Sequence, residues 1–199
     1  MRLLPAILLL GLASAGCGDK ANSPVPVPSY DAQAMGKAAV SQLDKNGNGT
    51  VEGAELDACP GLKAALPNID TNHDNKLSAE ELTARFLSYR AAGAVGSSVR
   101  VTLDGAPLID ATVTFTPEAF MCDAISEATA QTGADGTATN FTANGRTTPG
   151  LASGVYRVAV TRSGVNIPAK FNTQTTLGCE VSAGGRGGSS ILELKLTSR

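Results

Sequence analysis

The chain has 199 residues, with 16 Lys and Arg against 18 Asp and Glu, a single His and no Trp, for a formal charge of −2. That length holds one medium domain or two small ones. Neither sign of charge dominates and the aromatics are not clustered, so the footprint of a nucleic-acid binder is missing and no nucleic-acid partner is expected.

In chain order, Met1 and Arg2 form a short positive region, residues 3–12 an apolar run broken by Pro5, and residues 13–16 a small-residue exit, the pattern of an export signal. The run is too short to span a bilayer. Ser14-Ala15-Gly16-Cys17 resembles a bacterial lipobox, with Ser14 where that pattern prefers Leu. The resemblance implies a signal peptide over 1–16 and a lipid on Cys17 that anchors the mature protein in the membrane. Gly18 after the cysteine implies delivery to the outer membrane of the cell envelope. An ordinary secretory signal with an incidental Cys17 is the alternative, and it also exports the chain. Residues 17–29 read as a tether, because the alternating Val and Pro of ANSPVPVPS favour extended backbone.

Met35, Ala39, Val40 and Leu43 then recur at helical spacing and predict a short amphipathic helix, weakened by Gly36. It runs into DKNGNGTVEGAE at 44–55. A second apolar run, GLKAALPNI, leads into DTNHDNKLSAEE at 70–81, and the two segments align without a gap at Asp44 and Asp70, 26 residues apart. The spacing has a chemical reason. Calcium takes about six to eight oxygen ligands, and a twelve-residue loop supplies them from positions 1, 3, 5, 7, 9 and 12. In the first loop these are Asp44, Asn46, Asn48, the Thr50 carbonyl, Glu52 and Glu55, with Gly49 at the sixth place for the sharp turn. In the second they are Asp70, Asn72, Asp74, the Lys76 carbonyl, Ser78 and Glu81, with Asn75 at the sixth place, a residue that tolerates left-handed backbone.

Residues 30–90 therefore resemble a pair of EF-hands, including the apolar eighth positions Val51 and Leu77, which in that family pair as a short antiparallel ribbon. Exiting helices are expected over 52–58 and 79–90, the latter carrying Leu82, Phe86 and Leu87, with Pro60 and Pro67 keeping the connection short. The resemblance implies two Ca2+ sites. A dockerin-like module also has two calcium loops, but it lacks the entering helices and typically carries Asp at the twelfth place. Neutral Asn ligands suit the weak affinities of extracellular modules, about 10⁻⁴ to 10⁻³ M. Met35 is the one methionine of this region, whereas sensor grooves are Met-rich, so structural calcium is expected and a calcium-responsive regulator or sensor is the alternative.

Residues 91–97, small and glycine-punctuated, read as a linker. Beyond it the apolar period becomes two, in 98–103, 111–116, 154–161, around Leu177, Cys179 and Val181, and in 191–196. Turn sequences at Asp104-Gly105, 133–136 and Asn144-Gly145 separate the runs, and short strands so spaced predict a β-sandwich. The segments VTLDGAPL, ATVTFTP, GADG, GVYRV and IPAKFN resemble, in that order, the carboxypeptidase regulatory-like, transthyretin-like domain of small planctomycete envelope lipoproteins. The expected fold class is multidomain α + β: an N-terminal helical EF-hand pair, then an all-β transthyretin/Ig-like sandwich of about seven strands over 98–199.

No enzyme is expected. A zinc peptidase needs two His and a Glu, and the one histidine, His73, stands at the non-ligand fourth place of the second loop. Neither a G-x-S-x-G elbow nor a P-loop is present. In an oxidising exported setting Cys122 and Cys179 are expected to form a disulfide, leaving Cys59 free near Pro60, although connectivity is not readable from a sequence. The expectation is a non-catalytic calcium-binding envelope lipoprotein whose sandwich contacts another protein or a glycan. A carbohydrate-binding module is a weaker alternative, since it calls for exposed aromatics and Phe115 and Tyr156 already sit at core-facing positions.

Overall fold

The computed structural model describes residues 29–121, 124–183 and 191–199. The expected signal peptide, Cys17, nearly all of the tether and Cys122 lie outside the described residues. A helical segment comes first and a β-rich region follows it.

The helical segment comprises α1 (Ala32–Leu43), β1 (Thr50–Glu52), α2 (Ala54–Asp57), α3 (Pro60–Ile69), β2 (Lys76–Ser78) and α4 (Ala79–Ala92). Asp31 caps α1 by accepting the Gln33 and Ala34 N–H groups at 2.9 and 3.1 Å. A capping box opens α4, with Ser78 Oγ accepting the Glu81 N–H while the Glu81 carboxylate accepts that of Ser78. Gly36, which propensity alone marks as a weak point of α1, has a packing reason. A Cβ there would lie 2.5 Å from Thr83 Oγ1 and 2.8 Å from the Ala79 carbonyl oxygen, so glycine lets α1 close onto α4. Pro60 occupies the first turn of α3, where its missing N–H costs nothing, and Pro67 lies inside the same helix rather than in a connection.

The expected linker at 91–97 is not a free segment. Helix α4 runs through Ala92, Gly93 ends it at φ 66°, and Ala94–Gly96 forms β3. There follow β4 (Ser98–Leu103), β5 (Ala106–Pro107), β6 (Thr112–Pro117), β7 (Ala128–Gln131), β8 (Thr137–Ala138), β9 (Phe141–Ala143), β10 (Arg146–Thr148), β11 (Gly150–Ala152), β12 (Gly154–Thr161), β13 (Leu177–Val181) and β14 (Ile191–Leu196). Strand β3 pairs with β11, one sheet runs β10-β9-β7-β6-β12-β13, and another is built on β4, flanked by β14, β5 and β8.

The strands are shorter and more numerous than the seven expected. The cause is local: Asp104 and Gly105 (φ 50° and 84°) and Asn144 and Gly145 (φ 50° and 72°) make two-residue hairpin turns that split off short arms. The pairing of β14 with β4 is parallel, Ile191 opposite Ser98, an arrangement open only to strands joined by a long stretch of chain.

The two sheets bury their alternate residues against each other: Val99 and Val101 from β4, Val113 and Phe115 from β6, Val158 and Val160 from β12, Leu194 and Leu196 from β14. Phe115 meets Phe141 edge-on at 5.6 Å and Tyr156 at 6.3 Å. The outer face of the six-stranded sheet receives the helices. There α3 lies on β12 and β13, and α1 packs on the 3-10 turn Ala119–Met121. The apolar interior is continuous across helices and sheets.

Candidate metal centre

Both twelve-residue loops fold by closely similar internal bonds. Asp44, at the first position, accepts the Gly47 and Gly49 N–H groups at 2.7 and 2.8 Å. Asp70 accepts those of Asp74 and Asn75 at 3.3 and 2.9 Å. At the third position Asn46 Oδ1 accepts from Asn48 and Asn72 Oδ1 from Asp74, each at 3.0 Å. At the fifth, Asn48 Oδ1 accepts from Thr50 and Asp74 Oδ1 from Lys76, each at 2.9 Å. Short oxygen-bearing side chains thus draw the backbone around themselves, as Asx turns do. The bends fall at the fourth and sixth places in both loops, Gly47 and Gly49 at φ 77° and 82°, His73 and Asn75 at φ 61° and 62°.

The twelfth residues close the loops. Glu55 Oε1 accepts the Lys45 and Asn46 N–H groups at 2.7 and 3.3 Å, and its Oε2 that of Glu52 at 3.1 Å. Glu81 Oε1 accepts from the Thr71 N–H and hydroxyl at 3.0 and 3.1 Å, and Oε2 from those of Ser78 at 3.0 and 2.9 Å. Strands β1 and β2 then pair antiparallel, Val51 facing Leu77, and both side chains are fully buried.

The predicted ligands differ in what they touch. Glu52, opposite Lys76 in the ribbon, is gripped by the Lys76 ammonium at 2.5 Å and by the Asn48 amide at 2.7 Å, so a cation of the second loop holds a carboxylate of the first. The register predicts this, once Val51 is set against Leu77. Ser78 caps α4 through the same hydroxyl that was expected at the ninth position. Among the described residues no three His, Cys, Asp or Glu side chains converge on one point. Each predicted donor set holds three acidic residues, Asp44, Glu52 and Glu55 or Asp70, Asp74 and Glu81, beside oxygens of Asn, Ser and the backbone. The acidic groups are engaged by N–H groups, hydroxyls and the Lys76 ammonium instead of by one another. All the predicted ligands are hard oxygen donors, the chemistry that calcium takes and zinc does not require.

The surroundings of Asp44, Glu52 and Glu81 favour the ionised form. N–H bonds, that of Gly49 first, hold Asp44 below the usual carboxylate range. The Lys76 ammonium does the same for Glu52. Burial pushes Glu81 up, but the bonds from Ser78 and Thr71 outweigh it and leave the group low. Stability from these groups is complete above the ordinary carboxylate range of about 3.9 to 4.3 and is lost as pH falls through their lower folded values. Burial, reinforced by neighbouring Glu118 and Glu180 respectively, pushes the Cys59 and Cys179 thiols up to about 12, so their contribution is lost as pH rises from the unfolded thiol value toward 12. In chelator, urea midpoints should be level between about pH 5 and 8, and fall below about 4 and above about 9. A midpoint still rising at pH 10 would contradict the buried thiols.

Cys59 and Cys179 are both buried free thiols. The expected partner of Cys179, Cys122, lies outside the described residues, so a bridge between them is not part of the described structure.

Four residues that touch the flanking helices carry no motif: Asn68, Arg85, Tyr89 and Glu180. Glu180 is an alternate polar residue of β13, and nothing in its local pattern separates it from a solvent-facing strand position. The EF-hand family model matches residues 62–87, which take in most of α3, the second loop and α4 as far as Leu87. No curated protein and no solved structure matches the chain.

Proposed function

We propose that the chain is a non-catalytic, calcium-binding lipoprotein of the cell envelope. In this reading Cys17 carries the lipid in the outer membrane, an EF-hand pair over 30–90 holds two structural calcium ions, and a transthyretin-like sandwich contacts another envelope component. The observation that carries the calcium reading is the shared bonding of 44–55 and 70–81, one of which falls inside the EF-hand match. A calcium ion supplies concentrated positive charge for the oxygens of each loop to surround, linking its entering and exiting helices. No catalytic role is assigned. The one histidine, His73, serves as a bend in the second loop.

A brace fits better than a switch. The apolar face that a sensor exposes to its target is already covered here. Phe86 of α4 is fully buried and stacks on Phe120 at 5.7 Å, while the Gly61 N–H at the start of α3 donates to Glu118 at 2.8 Å. A protein partner fits better than a glycan, because all five Phe, Tyr89 and Tyr156 are buried and Tyr30 is partly so, which leaves no aromatic platform for a sugar ring.

Calorimetric titration of the full chain with calcium chloride, with helix content and hydrodynamic radius followed in parallel, tests this reading. Two ions per chain with both shape observables level are expected. A cooperative change in either observable would favour the regulator, and absence of bound ion would remove the calcium reading. The anchor is tested separately: Cys17→Ser should move the protein from the membrane fraction to the soluble one.

A further inference from the structure

Glu180 lies outside both loops, on β13, with its side chain 5% exposed. Its Oε2 accepts the Asn68 side-chain amide at 2.5 Å. Its Oε1 accepts Arg85 Nε at 2.6 Å and the Tyr89 hydroxyl at 2.5 Å, and Arg85 Nη2 goes on to Ser182 Oγ at 2.9 Å. Burial and the Glu180 carboxylate raise the Tyr89 hydroxyl well above its ordinary value, so it remains a donor.

The positions of these donors matter more than their number. Asn68 is in the last turn of α3, two residues before Asp70, the first position of the second loop. Arg85 and Tyr89 stand about one and two helical turns beyond Glu81, its twelfth position, on α4. One carboxylate of the β-rich region therefore grips both the helix that enters the second loop and the helix that leaves it. At the exit of the first loop Arg157 donates to the Ala58 carbonyl at the end of α2 and to Glu118. Helix α1, which enters that loop, packs separately on the Ala119–Met121 turn, so the two helices are not joined on one side chain by these contacts. A buried carboxylate is costly unless paired and hydrogen-bonded, so the cluster holds together only while α3 and α4 keep their spacing.

We propose that Glu180 is a positioning residue for the second calcium loop: it presets the arrangement of α3 and α4 that residues 70–81 need, and thereby raises calcium affinity at that loop selectively. The inference rests on the reading of both loops as calcium sites. A loop whose flanking helices are already placed gives up less freedom when it binds. Coupling is reciprocal, so calcium at the second loop tightens the grip of β13 on the helices by the same factor.

The test is an amide NMR titration of the full chain with calcium chloride, following Gly49 and Asn75. These sixth-position amides donate to Asp44 and Asp70 and report the two loops separately. Glu180→Gln should weaken filling of the second loop by about tenfold, within the usual range of coupling, and change the first by less than about twofold. Tyr89→Phe, which deletes one donor and keeps the buried ring, should weaken the second loop in the same direction by about threefold. It decides the matter should Glu180→Gln fail to fold. Equal weakening at both loops assigns Glu180 to general stability, and no change at the second loop removes any positioning role; either overturns the inference and leaves the calcium reading intact. A parent chain that fills neither loop overturns both.

Discussion

Phe86→Ala is expected to lower the unfolding free energy by about 3 to 5 kcal/mol, the range for deleting a fully buried phenyl ring. The ring belongs to the helices and to the β-rich region at once. It lies 5.7 Å from the Phe120 ring, nearly parallel to it, and 5.9 Å from that of Tyr89. The backbone of the same residue accepts the Tyr30 hydroxyl at 2.9 Å, drawing in the start of the helical segment. Removing it leaves a cavity at the junction of α4 with the Ala119–Met121 turn, where partners come from three parts of the chain and cannot collapse together. Urea unfolding followed at a helical and a strand-sensitive wavelength measures the effect. A loss under about 1 kcal/mol, or one confined to the helical signal, would mean that the helices and sheets do not share a core.

The second large effect is expected at Gly178, on the outer strand of the six-stranded sheet. A Cβ there would stand 1.9 Å from the Pro60 carbonyl oxygen, 2.1 Å from its carbon and 2.5 Å from the Gly61 nitrogen. All three are backbone atoms at the start of α3, and no rotamer change relieves the clash. Gly178→Ala should therefore cost at least the upper end of the usual 1 to 3 kcal/mol for overpacking, with α3 pushed off β13. Because Glu180 is two residues on along the same strand, its bonds to Asn68 and Arg85 should lengthen with the shift. Hydrogen exchange in α3 would report it, and Gly96→Ala is the control: its Cβ would meet only the Pro149 oxygen, at 3.9 Å, and should cost less than about 1 kcal/mol. Similar losses for the two substitutions would refute the close approach.

The features readable from sequence are those whose causes lie within a few residues. An Asn or Asp oxygen reaches the N–H two to five residues on, so the spacing of 44–55 and 70–81 carries its own fold. Apolar alternation places β4, β12 and β14 at the expected 98–103, 154–161 and 191–196, and the Asp-Gly and Asn-Gly pairs mark the β4–β5 and β9–β10 hairpins because Gly, Asn and Asp enter left-handed backbone more readily than other residues. Even the Glu52–Lys76 pair across the ribbon follows from register.

What had no local cause was not readable. Gly36 and Gly178 look like weak points of a helix and a strand until the surfaces against them, Thr83 and Pro60, are in place. The run 91–97 has a linker's composition, and only the edge offered by β11 makes part of it a strand. Glu180 meets Asn68, Arg85 and Tyr89 across 112, 95 and 91 residues of chain. Side-chain oxygens that bend their own backbone shape the two loops through bonds that stay within each twelve-residue segment. The placement of the second loop's two flanking helices on one buried carboxylate of a distant strand depends on burial and long-range pairing, which the folded chain alone supplies.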